Sequence, residues 1–318
     1  MLTNEKLIET KKFLVSPNTK VSLKDYSTKY EGKELNKEQA EKLLEEGRKQ
    51  LAMIQDKLYA HNQYSILIIF QAMDAAGKDG AVKHIMSGFN PLGVQVSSFK
   101  APTANELDHD YFWRHMQALP PRGEIGIHNR SHYENVLVTK VHPEYILGEN
   151  IPGIDNIKKI NKEFWENRYT QIKRFEKNLS ENGMIILKFF LHVSKDEQKK
   201  RFLERIDDES KNWKFSVSDL KERGYWDDYQ KAYAEAISAT STDYAPWFII
   251  PADNKWFTRL TIASIIYKQF EKLELKYPTV SLAQKEALQK AKITLLSEDK
   301  KVDTLEKKAV KKVKKTKK

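Results

Sequence analysis

Between Ser65 and Gly80 the chain reads S-I-L-I-I-F-Q-A-M-D-A-A-G-K-D-G, and few folds accommodate such a stretch. Ile66 to Phe70 is continuously apolar and rich in β-branched residues, which suits a strand buried on both faces of a parallel sheet. A turn containing Gly77-Lys78 follows. Beyond it, Val82, Ile85, Met86 and Phe89 have the spacing of one helix face. Strand, small-residue loop and helix form the context of a phosphate-binding loop, where backbone N–H groups and the helix N-terminus hold anionic oxygens and a lysine adds charge.

Two departures from the pattern G-x-x-x-x-G-K-[ST] carry information. Ala72 stands at the first glycine and Asp79 at the hydroxyl residue. The loop lacks the hydroxyl that would ligate Mg²⁺ but carries two carboxylates, Asp74 and Asp79, hard oxygen ligands suited to that ion.

Of the 318 residues 40% are hydrophobic, enough for a sizeable core, and cysteine is absent. A disulfide framework and thiolate metal sites are thereby excluded. No stretch approaches the roughly 18 apolar residues of a membrane span, so a cytoplasmic protein without membrane contact is expected. The net charge of +11 is concentrated at one end: eight lysines lie in 307–318, and without them 47 basic residues face 44 acidic ones. Such a run reads as a solvated, disordered end that attracts polyanions nonspecifically, and specific nucleic-acid binding is not expected.

Residues 1–30 are mixed and polar and read as an arm. A helical stripe over 36–60 leads into the loop strand. Val94 to Phe99 reads as a second strand, and Thr103 with Glu106 as a capping box opening a helix to about Leu119. Lys100 and Arg114 lie where ligands sit in an open α/β sheet and are acceptor-site candidates. A third strand, Gly123 to His128, delivers Asn129-Arg130-Ser131-His132-Tyr133-Glu134 to the same edge. Asn129 can orient a metal-bound water or bind Mg²⁺ weakly, with Glu134 nearby, and Arg130 can neutralise transferring phosphoryl oxygens. Ser131 and His132 are adjacent without a nucleophile elbow, which argues against a hydrolase triad.

A long helix is expected from about Asn156 to Leu179, then a fourth strand, Met184 to Val193. Ser194 and Glu197 form a second capping box, and the basic segment 199–224 reads as a lid that closes over phosphates. A fifth strand, Trp247 to Ile250, precedes a helix from Trp256 to Leu275. Five strands alternating with helices imply a three-layer α/β fold with a parallel five-stranded sheet.

Taken with F-Q-A-M-D-A-A-G-K-D-G at 70–80, S-F-K-A-P-T at 98–103, G-E-I-G-I-H-N-R-S-H-Y-E at 123–134, K-K-R-F-L-E-R-I at 199–206, N-W-K-F-S at 212–216 and A-P-W-F-I-I-P-A-D-N-K-W-F at 245–257, the sequence resembles the polyphosphate kinase 2 family, most closely its polyphosphate:nucleotide phosphotransferase branch. The resemblance implies a P-loop kinase fold over 31–280, with a C-terminal helix and tail over 281–318. It implies Mg²⁺-dependent, reversible transfer of a terminal phosphoryl group from inorganic polyphosphate to AMP and ADP, with Mn²⁺ able to replace Mg²⁺. Guanine nucleotides as further acceptors and a homo-oligomer are also expected. In this reading Ala75, Ala76, Gly77, Lys78, Asp79 and Gly80 cradle phosphate. Asp74, Lys78, Arg130, Arg201 and Arg205 serve catalysis, the two last from one face of the lid helix. Asp74 holds the metal, with Asn129 or Glu134 as further ligands, and Lys100, Arg114, Asn129 and Glu134 bind nucleotide. The site must be more basic than the near-neutral body, because two polyanions meet in it. The alternative is an ATP-dependent nucleoside monophosphate kinase; the altered loop argues against it.

The charge distribution makes one test immediate. Ending the chain near Glu306 should leave turnover at saturating polyphosphate nearly unchanged and weaken only a salt-sensitive attraction to long chains, measured as the KM for polyphosphate against ionic strength.

Overall fold

The computed structural model describes the backbone of residues 8–315 and the side chains of 8–298. Two compact units result, one reaching Lys276 and one beginning at Tyr277. The second holds a single helix, Leu282–Lys315; of the lysine-rich end, 316–318 lie outside the described residues. Among the described residues no helix is long and apolar enough to cross a membrane.

In chain order the first unit contains β1 (Leu14–Val15), α1 (Lys37–His61), β2 (Ser65–Ala72), α2 (Lys78–Met86), β3 (Val94–Ser98), α3 (Ala104–Leu107), α4 (Trp113–Met116), β4 (Ile125–Asn129), α5 (Val138–Val141), α6 (Lys162–Glu181), β5 (Met184–His192), α7 (Lys195–Asp207), α8 (Val217–Gly224), α9 (Trp226–Thr240), β6 (Trp247–Pro251) and α10 (Lys255–Glu271). The sheet order is β1-β6-β5-β2-β4-β3. β2 lies between β4 and β5, parallel to both, with Ile66 opposite Ile125 on one side and Ile185 on the other. All eight of its residues are buried, the reason its sequence is apolar without alternation. Strand order reverses direction beside β2, so the crevice beyond its C-terminal end is where this class of sheet takes ligands.

The five expected strands are all present and parallel, but the sheet has six. The sixth, β1, pairs antiparallel with β6, Leu14 opposite Phe248 and Val15 opposite Trp247. Two residues are too short to show a period, which hid this strand in the arm. The described part of the arm is fastened elsewhere too: Asp253 N–H donates to the Thr28 carbonyl at 2.9 Å, and Thr28 Oγ1 donates to the Asp253 carboxylate at 2.8 Å. The helix expected from Thr103 to Leu119 is broken into α3 and α4. Its capping box forms, with Glu106 N–H reaching Thr103 Oγ1 at 3.3 Å and Thr103 N–H reaching Glu106 Oε2 at 2.7 Å. The break follows at Asp110, whose side chain accepts from Phe112 N–H at 2.9 Å, a local bond that competes with helix. The helix expected from Asn156 begins at Lys162, after a single 3-10 turn at Ile157–Lys159. Only half of the second capping box forms: Ser194 Oγ accepts from Glu197 N–H, while Ser194 N–H donates to Asp253 and the Glu197 carboxylate goes to Arg201.

Under the turn after β4 lies a buried polar network. Lys188 Nζ donates to Glu176 Oε2 at 2.6 Å, to Tyr133 Oη at 2.8 Å and to the Thr240 carbonyl at 2.8 Å. Tyr133 Oη also donates to Glu176 Oε1 at 2.8 Å. The turn that carries Arg130 is thus bound to β5, α6 and α9, with both charges paired and hydrogen-bonded as burial requires. Beside it, His115, His128 and His132 pack with Phe99 and Phe112. Burial holds all three imidazoles below their usual pKa, His128 at about 4.

The unfolded chain binds protons at these imidazoles near pH 6.5, whereas His128 in the fold does so only near 4. Stability should therefore be lost as pH falls through that window. The check is the thermal midpoint measured between pH 7 and 4, with His115→Leu showing a shallower decline than the parent chain.

Candidate active site

The phosphate loop is held from behind by one face of α7. Gln198 and Arg201, three residues apart, share that face. Gln198 Nε2 donates to the Asp74 carbonyl at 3.0 Å, and Arg201 Nη1 to those of Ala75 at 3.0 Å and Ala76 at 2.8 Å. Three successive carbonyls are thereby captured. In a trans peptide the N–H points opposite to the carbonyl, so the amides of Ala75, Ala76 and Gly77 face away from α7. Ala75 adopts φ +58° and Gly77 φ +104°, the left-handed region in which a loop can curl its amides round an anion. One expected cradle amide is partly committed: Ala76 N–H donates to the Met73 carbonyl at 3.3 Å.

Arg201 differs from its expected role. Its remaining donors reach Glu197 Oε1 at 2.8 Å and the carbonyls of Ala252 at 2.7 Å and Asp253 at 3.2 Å. A guanidinium has five N–H donors, and here all five are used on protein oxygens at 4% exposure. None is left for a phosphoryl group. Arg205, one turn on, is partly exposed, with longer contacts to the Lys214 carbonyl at 3.4 Å and Asp219 at 3.9 Å.

Lys78 folds back on the loop, its Nζ donating to the Ala72 carbonyl at 2.8 Å. Burial first, then Arg130, pushes its pKa down to about 8 against the pull of Asp74, Glu134 and Asp79. Arg130 stands at φ +65°, a conformation that costs a non-glycine residue of order 1 kcal/mol and is held where surroundings over-determine it. Its N–H donates to the Phe70 carbonyl at 3.0 Å, and its Nη2 meets Asp74 Oδ1 at 3.1 Å. Asn129 Nδ2 donates to Asp79 Oδ1 at 2.8 Å, which pins the start of α2 to the end of β4.

Asp74 to Ala81, Asn129, Arg130, Lys100 and Arg205 line one cleft of about 660 Å³. Nine cationic side chains line it, the committed Arg201 among them, against four carboxylates, the basic surplus expected. A second pocket of about 440 Å³ adjoins it and shares Phe99, Lys100 and Arg130. Glu134 and Arg114 lie in this second pocket, walled also by Ala101, Pro102, Leu107, Val138 and Tyr145. Arg114 is spent largely on structure, donating to the Lys100 carbonyl at 2.8 Å and packing over the Phe99 ring. Burial, outweighing Arg130 and Lys78, holds the Glu134 carboxyl above its usual range.

The lining residues missed as site residues include Asp219, Lys255, Thr258 and Arg259. Lys255 and its neighbours follow the C-terminal end of β6, where the rule for open α/β sheets could have found them. Asp219 lies in the segment 199–224 read as a lid, but only the fold of that segment brings it near Asp74. Burial and then Asp74 raise its pKa. Among the described residues no group of three or more His, Cys, Asp or Glu side chains is arranged to hold a metal ion. Asp74 with Asp79 or Asp219 nevertheless fits a cation that takes one or two carboxylates and completes its shell with phosphate and water, as Mg²⁺ does.

Arg201→Ala should lower stability by roughly 2–4 kcal/mol, since it strips several charge-assisted bonds from buried carbonyls, measured by urea unfolding. Arg205→Ala should leave the unfolding midpoint nearly unchanged and lower turnover.

Residues 34–278 match the family described as Polyphosphate kinase 2. The chain is 47% identical over 289 residues to the "ADP-polyphosphate phosphotransferase" of Rhodopseudomonas palustris, covering 91% of this chain and 99% of that protein. It is 42% identical over 272 residues to the "AMP/ADP-polyphosphate phosphotransferase" of Meiothermus ruber, covering 84% and 95%. The crystal structure of Polyphosphate Kinase 2 from Arthrobacter aurescens superposes with a TM-score of 0.76 at 38% identity, over 84% of this chain and 92% of that one. The match over 34–278 and these relatives place the chain in the polyphosphate kinase 2 family.

Proposed function

We propose that the chain transfers the terminal phosphoryl group of inorganic polyphosphate to AMP and then ADP, reversibly, in the region 31–280. The observation that carries this is the junction of two pockets at Arg130 and Lys100. One is a basic cleft along the phosphate loop, suited to a polyanionic donor. The other has apolar walls with a few polar groups, suited to a nucleoside. Relatives named for AMP and ADP support the choice of acceptors.

In this reading an oxygen of the acceptor's terminal phosphate bonds to the terminal phosphorus of the donor. The bond from that phosphorus to the rest of the chain breaks, and polyphosphate leaves one unit shorter. The acceptor phosphate is ionised at neutral pH and needs no strong base. Catalysis is then alignment and charge neutralisation. Loop amides and Lys78 hold the donor, Arg130 faces the transferring group, and Arg205 with Lys100 screens the remaining charge. Asp74, aided by Asp79 or Asp219, would hold Mg²⁺ or Mn²⁺, which supplies further charge neutralisation to the phosphate oxygens. Glu134 and Arg114 serve the acceptor pocket, and Asn129 positions Asp79.

Adenine nucleotides are the main acceptors in this proposal and guanine nucleotides further ones, in a cytoplasmic homo-oligomer. An open edge supports the last point: among the described residues β3 pairs only with β4, and Leu92 and Val96 beside that edge are exposed.

Purified protein given Mg²⁺, AMP and long-chain polyphosphate should form ADP and then ATP, and EDTA should stop both steps. Lys78→Ala should lose at least ~10²-fold in turnover while remaining folded, the scale of one preorganised charge donor. Transfer to AMP from ATP but not from polyphosphate would replace this reading with that of a nucleoside monophosphate kinase.

A further inference from the structure

Helix α8 borders the cleft and is tied down at its C-terminal end. Glu222 Oε2 meets His142 Nε2 at 2.9 Å and accepts from Tyr229 Oη at 2.6 Å. The next residue, Arg223, donates through Nη1 to the Lys195 carbonyl at 2.8 Å and to Gln198 Oε1 at 2.7 Å. Gln198 is 1% exposed, and its other end, Nε2, donates to the Asp74 carbonyl at 3.0 Å. One buried amide therefore spans from the end of α8 to the phosphate loop. At its other end α8 offers Asp219 to the cleft, so the same short helix both lines the site and holds the loop.

The amide meets these two demands at once, since it accepts at one atom and donates at the other. Methionine keeps the length and does neither. An ionised glutamate still accepts from Arg223 but has no proton for the Asp74 carbonyl. The residue so held is not incidental: Asp74 pairs with Arg130 at 3.1 Å, and a shift of its backbone moves both.

We propose that Gln198 is a positioning residue of the transfer reaction. It conveys the position of Arg223, at the end of α8, to the carbonyl of Asp74 and thereby sets the Asp74–Arg130 pair. The inference rests on the reading of the cleft as the site of transfer. Gln198 touches no substrate in this account. Its effect is geometric, and a displacement of about 1 Å at reacting groups is able to cost on the order of 10²-fold in rate.

The test compares the parent chain with Gln198→Met, Gln198→Glu, Arg223→Met and the double variant Gln198→Met/Arg223→Met, in steady-state transfer from polyphosphate to ADP. Each single variant should lower kcat by about tenfold to 10²-fold, with KM for nucleotide and for polyphosphate nearly unchanged, because alignment is lost rather than binding. The double variant should be no slower than Gln198→Met, since both changes break one chain of contacts. Gln198→Glu keeps its pairing with Arg223 and loses only the bond to the Asp74 carbonyl, so it should fold with a modestly lowered thermal midpoint and still lose kcat, which keeps the test informative even where Gln198→Met fails to fold. The proposal is overturned by multiplicative losses in the double variant, by unimpaired kcat in Gln198→Glu, or by variants that change the thermal midpoint alone. Lys78→Ala in the same assay separates the two levels. Normal turnover there would remove the site reading itself, whereas an inactive Lys78→Ala beside unimpaired Gln198 variants would remove only the positioning role.

Discussion

The five hydrogen bonds of Arg201 are the constraint on which the site depends. A phosphate loop presents amides only if its carbonyls are satisfied elsewhere, because an orphaned buried carbonyl costs about as much as a lost hydrogen bond. Here Arg201 and Gln198 take the carbonyls of residues 74 to 76 from outside, and the same guanidinium reaches the carbonyls of Ala252 and Asp253 beyond β6. One side chain thereby fixes the ends of β2 and β6 relative to each other. Carbonyls held in this way leave the loop amides oriented together, and such preorganisation is where much of the effect of electrostatic catalysis lies.

That clamp works because the sheet beneath it is rigid. β2 is buried along its whole length between two parallel neighbours, so the loop begins from a fixed point. Arg130 begins from a second: its N–H is bonded to Phe70 of β2, and the turn that follows is anchored by Tyr133, Glu176 and Lys188. Buried ion pairs add little net stability as a rule. This one holds a strained backbone residue at the mouth of the cleft, and its geometry is specific where an apolar cluster would leave freedom.

The charge of the molecule has two separate meanings. The lysine run near the C-terminus raises the total charge of the sequence, whereas the cleft carries its own local surplus: nine cationic side chains against four carboxylates around one cavity. Low dielectric within a walled cleft strengthens each of those charges relative to water. The neighbouring pocket sets apolar walls such as Pro102, Leu107 and Val138 beside charged side chains such as Glu134 and Arg114, and the two meet at Arg130.

The sequence by itself determined the centre of this protein: a fully buried strand, a glycine-lysine turn, a helix, and an Asn-Arg pair at the end of the strand beside it. These are local signals, written in runs of five to ten residues where hydrophobic period and turn chemistry act without distant help. The tertiary structure decided what such runs cannot encode. A two-residue strand at Leu14–Val15 has no period to read, and Asp110 broke a helix whose cap had formed correctly. Arg201 and Arg205 share one helix and look alike in sequence. Both line the cleft, but the first is spent on the loop and the second is partly exposed, because only packing of α7 against the loop decides which guanidinium meets the loop's carbonyls. Asp219, Lys255 and Arg259 entered the site for the same reason: side chains far apart along the chain become neighbours through the order of the strands, and no spacing within the sequence records that order.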